Sequence, residues 1–230
     1  MKDRLLSFFP FYRWHPEVAI RYLPLIGEIE KLGRPSVLEI GSGGLGIAPY
    51  LSRRVTGLDT NFAPPFHPLL EQKTGSVLAI PFAPKSFDVV IAVDALEHID
   101  RKNRKQAIDE MLRVAAKEVI IAVPTGKESQ EQDEELNLVY QKMHGRPYPY
   151  LKEQIGFGLP EISEIKSLLG DNVRMEQNEP LALRRFLMLG WMGKGIVNKI
   201  IYWKLLLLVL PLFSFWRRPP YYRTIFYKKV

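Results

Sequence analysis

The sequence predicts an α/β protein built on a doubly wound, largely parallel sheet. Three observations carry this reading. An apolar strand at 37–40 runs into a glycine-rich turn and a helix, and Phe87 to Val93 is a near-continuous apolar run of the kind a strand buried on both faces requires. Short apolar runs also alternate with helical patterns through the middle of the chain. At 230 residues the chain suits one such domain with an extension. It divides into a helical cap at 1–35, a core at 36–180, a basic apolar helical insertion at 181–219 and a last strand at 220–230.

Taken in order, Val18, Ile20, Leu23, Leu25, Ile26 and Ile29 recur at helical spacing behind Pro16, so Pro16 to Lys31 is expected to be a helix over the sheet edge or the site's mouth. The aromatics before it, Phe8 to Trp14, suit packing better than a lid. Strand 1 is Ser36 to Ile40, followed by a helix from Gly46 to about Arg53 and strand 2 at Val55 to Asp59. Three prolines between Asn61 and Pro68 leave no room for a crossover helix and predict an irregular wall. Strand 3 is placed near Gln72 to Val77, strand 4 at Phe87 to Val93, a helix at Arg101 to Ala115 and strand 5 at Glu118 to Val123. Pro124 to Glu135 reads as a polar loop. Leu136 to Pro160, rich in Tyr and His with Gly145, Gly156 and Gly158 as hinges, reads as a recognition loop. A helix at Glu161 to Leu169, strand 6 at Asn172 to Asn178 and an edge strand at Tyr222 to Lys229 close the pattern.

Gly41, Gly43 and Gly46 stand at G-x-G-x-x-G spacing, which lets backbone approach a ligand and opens a helix toward an anionic or polar group. A nicotinamide, flavin or methyl-donor cofactor would each suit that turn. Glu39 just ahead of it and Asp59 at the tip of strand 2 sharpen the reading, because a carboxylate there can accept both hydroxyls of a ribose. The pair points to a nucleoside-containing cofactor. Both acids would be costly to bury without a ligand or backbone amides to satisfy them.

From Ser36 to Val123 the chain resembles a class I S-adenosylmethionine-dependent methyltransferase of the small-molecule (type 11) branch. The matching residues are Glu39 to Gly46, Asp59, Gly75 to Phe82, Ser86 to Val90 and Leu96 to Ile99. The resemblance implies a Rossmann-like seven-stranded sheet whose last strand is antiparallel and is supplied by Tyr222 to Lys229. It implies S-adenosylmethionine as cofactor. Glu39, Gly41, Ser42, Gly43 and Gly46 would hold the methionyl part, Asp59 with Thr60 the ribose, and Ser76 with Val77 the adenine; Asp94 ends strand 4 beside them. The family usually has Asp where Ser76 stands, and a hydroxyl can still accept one hydrogen bond from the adenine amine.

Methyl transfer needs the acceptor held in line with the leaving sulfur, so positioning carries much of the catalysis. His98 is the candidate base for an acceptor that must lose a proton. Tyr140, His144 and Tyr148 are candidates for the acceptor pocket, while Glu97 and Asp88 read as structural. The absence of cysteine excludes disulfides, thiolate metal sites and a cysteine nucleophile, and four scattered histidines suggest no metal.

The net charge of +7 is uneven. Leu181 to Val230 holds ten Lys and Arg and no acid, leaving 22 basic against 25 acidic groups before it. Nucleic acid is therefore an unfavoured partner, and the expected anionic partner belongs to the tail. Ile200 to Trp216 is apolar but is broken by Pro211. A single span would also separate strands 6 and 7, so a helix pair at 184–218 lying in an anionic membrane interface is expected, with a buried insertion or homodimer contact as alternatives. The N-terminal apolar run is too short for a signal core. These readings lead to a cytoplasmic enzyme, peripheral on the inner membrane, acting on a small or lipid-linked acceptor such as a sugar or quinone-like precursor. A non-catalytic binding module of the same fold is the alternative.

Overall fold

The computed structural model describes residues 16–193 and 218–230. Seven strands form one sheet in the order β3-β2-β1-β4-β5-β7-β6. They are β1 (Val37–Ile40), β2 (Val55–Asp59), β3 (Leu70–Thr74), β4 (Phe87–Val93), β5 (Ala115–Pro124), β6 (Val173–Pro180) and β7 (Tyr221–Lys229). Strands β1 to β5 pair in parallel, and β7 runs antiparallel to both neighbours. The central strands bury both faces, β1 throughout and β4 from Val89 onward, as their largely apolar sequences require.

Two apolar layers clamp the sheet. On one face α1 (Pro16–Lys31) and α2 (Ala48–Leu51) set Leu25, Ile29 and Ile47 against Val37, Val89 and Ile91. On the other, α3 (Arg101–Val114) and α6 (Ile162–Leu169) set Ile108, Met111 and Ile165 against Leu38, Val90 and Ile121. Asp100 caps α3 by accepting the Lys102 N–H, the expected use of an acid at a helix start.

Helix α1 and strands β2 and β4 have the predicted bounds. Strand β3 starts two residues earlier and ends three residues earlier than its sequence suggests, because the edge register pairs Leu70 with Val55 and Thr74 with Asp59. The helix expected from Gly46 shrinks to α2, since Gly46 at φ +50° belongs to the turn.

The largest correction is at 124–160. The expected loops are two helices, α4 (Lys127–His144) and α5 (Pro149–Phe157), and Gly145 and Gly158 end them at positive φ. The inward face of α4 carries Ser129, Gln132 and Asp133 ahead of Leu136, so the usual apolar stripe is missing from its sequence. Within the insertion, Leu181–Met192 forms α7, directly after β6. The rest of the proposed membrane helix pair, 194–217, lies outside the described residues. Among the described residues no helix is long and apolar enough to cross a membrane.

Candidate active site

A cavity of about 960 Å³ opens at the carboxyl ends of the parallel strands, where open α/β sheets hold ligands. Its first end is built by the turn after β1. Gly41, Gly43 and Gly46 all have positive φ, and the Gly41 N–H bonds back to the Leu58 carbonyl. A Cβ added at Gly43 would meet nothing within 4 Å, so the cavity reaches its backbone. The Gly43 N–H donates to Asp59 Oδ2 at 2.9 Å, and the Asn61 N–H approaches Oδ1 at 3.2 Å. These bonds aim the half-buried carboxylate at the turn and leave it lone pairs for a ligand. Asn61, Ala63 and Pro64 wall this end, as the proline-rich stretch suggests.

Gly41, Ser42, Gly43, Asp59, Thr60, Val77 and Asp94 therefore converge on one cavity. Glu39, Gly46 and Ser76 stand outside its lining. Glu39 is fully buried behind the turn, accepting the Tyr22 hydroxyl at 2.8 Å and the Ile47 N–H at 2.6 Å. Burial raises its carboxyl to about 7, against the lowering effect of those two hydrogen bonds. Its place explains Gly46, where a Cβ would come within 2.2 Å of Glu39 Oε2. Ser76 Oγ accepts the Leu78 N–H in a local turn.

The second end is aromatic and charged. Tyr148 packs 5.1 Å from Trp191 and 5.6 Å from Tyr150, whose ring meets His98 at 5.9 Å, and these four side chains line the cavity. Tyr140 and His144 stand outside the lining. Tyr140 stacks on His144 and packs at a tilt against Tyr148, and His144 Nε2 lies 3.0 Å from the Met192 carbonyl. His98 Nδ1 is 3.0 Å from Glu153 on α5.

Beneath the aromatics lies a buried ionic network that the sequence does not reveal. Arg223 of β7 grips Asp94 through two nitrogens at 2.5 and 2.7 Å and Glu179 at 2.7 Å; Arg21 of α1 reaches Asp94 at 3.1 Å. Burial opposes a charge on Asp94, but the two guanidiniums hold its carboxyl below the usual range. Arg184 of α7 bonds Asp133 at 2.5 Å and lies over the Tyr222 ring. The one signal in the sequence was an arginine at an inward position of a bulky strand, between Tyr222 and Thr224. Arg184 and Arg185, counted in the sequence among membrane-facing charges, are committed to Asp133 and Glu135. Among the described residues no cluster of three or more His, Asp or Glu could hold a metal.

Residues 38–123 match the family model of the type 11 methyltransferase domain. The match runs from β1 to β5 and takes in the glycine turn, Asp59 and Asp94. Its fold is similar to magnesium protoporphyrin IX methyltransferase from Synechocystis PCC 6803, solved with bound SAH (14% identity, covering 95% of this chain and 85% of that one, TM-score 0.52). It is also similar to a putative methyltransferase from an antibiotic biosynthesis pathway of Anabaena variabilis (16% identity, 92% and 99% covered, TM-score 0.52). No curated protein matches the chain in sequence. S-adenosylmethionine is the methyl donor of the domain's family, and the first end of the cavity fits it. The open backbone at Gly43 and the carboxylate of Asp59 offer a close approach and a hydroxyl acceptor.

Proposed function

We propose that this chain is an S-adenosylmethionine-dependent methyltransferase acting on a small or lipid-linked acceptor held against the aromatic end of the cavity. The observation that carries the reading is the continuity of one cavity from Gly43 and Asp59 to Tyr148 and Trp191. When bound, the cofactor supplies an electrophilic methyl group on a sulfonium. The chain's contribution is binding and alignment. Gly41 and Gly43 admit the donor's main-chain-like part, and Asp59 accepts ribose hydroxyls. Val77 offers an apolar surface to a base, while Tyr148, Tyr150 and Trp191 hold the acceptor and exclude water. His98, held by Glu153 at the more open side, is placed to contact the acceptor and to pass a proton to solvent.

We place the protein at an anionic membrane surface through 184–218. Phe186, 52% exposed on α7, and the absence of any acid after Glu179 support this reading. Isothermal titration with S-adenosylhomocysteine tests the donor site, and no binding would end the enzyme reading. Labelled-methyl transfer into lipid versus soluble extract separates the acceptor classes. Failure to float with anionic vesicles at low salt would remove the membrane.

A further inference from the structure

Glu97 lies in the 3-10 turn just beyond β4, lines the cavity, and is 1% exposed. Its Oε2 has no hydrogen-bond partner among the described residues. The turn that carries it lies against the donor end, because a Cβ at Gly41 would come within 2.8 Å of the Ala95 Cβ. The cations around it are engaged by other acids: Arg223 by Asp94 and Glu179, Arg21 by Asp94, Arg184 by Asp133. His98 and Glu153 pair with each other on the more exposed side. Glu97 is thus a buried acid whose free oxygen awaits a group that the described residues do not supply.

We propose that Glu97 is a catalytic residue that answers the sulfonium charge of the donor and takes the proton from an O–H or N–H group of the acceptor. This rests on the donor reading above. In the step, a lone pair on the acceptor's oxygen or nitrogen forms the bond to the methyl carbon. The carbon–sulfur bond breaks with its electron pair kept by sulfur, which becomes a neutral thioether. The acceptor's proton passes to the Glu97 carboxylate, so a cation and an anion disappear together inside a poorly solvated cavity, and the proton leaves to solvent with the product.

The resting state suits this cycle. Burial, then the negative charge of Asp94, hold the Glu97 carboxyl well above the usual range, against the opposing pull of its own backbone N–H and of Arg223 and Arg21, so the free protein favours the protonated form more than an exposed glutamate would. A sulfonium placed beside it favours the ionised form.

The test is titration calorimetry of the full chain at pH 7 in buffers of different ionisation enthalpy, with S-adenosylmethionine and with S-adenosylhomocysteine. The sulfonium ligand is expected to release more protons than the thioether, by up to about one per site, and E97Q is expected to abolish the difference. Equal release in the wild type, or a difference that survives E97Q and vanishes in H98N, overturns the proposal. If E97Q does not fold, infrared difference spectra of the wild type decide. Loss of a protonated carboxyl band with the sulfonium ligand alone supports the proposal, and an unchanged band refutes it. If neither ligand binds, the donor reading fails first and takes this one with it. A labelled product that survives mild base fits an O–H or N–H acceptor; release of volatile methanol would mark a methyl ester, whose carboxylate has no proton to give, and would refute it.

Discussion

At the donor end of the cavity the inward groups are largely main chain. Gly43 and its partner Asp59 lie 16 residues apart, at the carboxyl ends of two adjacent parallel strands. At the acceptor end the inward groups are charged side chains, and Asp94 and Arg223 lie 129 residues apart. The first end depends on backbone conformations that glycine alone adopts cheaply. The second depends on cancelling buried charges drawn from the end of β4 and from α4, β6, α7 and β7. Damage should therefore spread differently from the two ends: locally from the turn, and through the whole fold from the ionic network.

R223M should have the largest effect. It leaves Asp94 and Glu179 buried without their main cation, and breaking a buried pair from one side costs about 3–5 kcal/mol. Urea unfolding should report that loss. A cost below about 1 kcal/mol would make the network dispensable.

Glu39 provides a pH test of the donor end. Its carboxyl is raised from 4.5 to about 7 in the folded protein. The folded state therefore binds more protons than the unfolded state between those values, and stability falls as pH rises through that window. The full penalty stands above the folded value, none of it below the unfolded one, and it amounts to about 3 kcal/mol. The difference in unfolding free energy between wild type and E39Q should change by that order between pH 4.5 and pH 7. An unchanged difference would show that Glu39 keeps an ordinary carboxyl.

Two alanine substitutions compare the glycines of the turn. G46A adds a clash with Glu39 to the cost of positive φ and should lose about 2–3 kcal/mol. G43A carries only the backbone cost of about 1–2 kcal/mol, but its methyl enters the cavity and should weaken S-adenosylhomocysteine binding more than stability. Next in size, D59N should cost about tenfold in that affinity, roughly 1.4 kcal/mol, with unfolding little changed. R185A should be smallest, about 0.5 kcal/mol or less, because the Arg185–Glu135 pair is about half exposed on both sides. Arg184, one residue earlier in the same helix but buried on Asp133, supplies the contrast.

The donor end was legible because its signals are short-range. The β1 turn, the tip of β2 and the apolar run of β4 each declare themselves within a few residues, and the chain's resemblance to the methyltransferase family rests on the same stretch. Ser76 shows the limit of carrying a role over by position, since its hydroxyl closes a local turn and stands outside the cavity lining. Helix α4 was misread because the side it buries is polar. Gln132 and Asp133 are hidden by Arg184, Gln154 and Tyr222, residues from three other elements. Tyr140 and His144 sit at the end of α4, one helix before the acceptor wall, and support Tyr148 from behind it.

The amino-acid sequence alone determined the doubly wound sheet, the glycine turn and the acid at the tip of β2, because strand periodicity and positive-φ glycines are properties of neighbouring residues. Only the tertiary structure decided that Arg184 and Arg223 face inward, that Glu39 braces the turn from behind, and that Glu97 keeps an oxygen unpaired among the described residues. Burial and charge pairing depend on which distant segments meet, and an isolated stretch of chain holds no record of its partner.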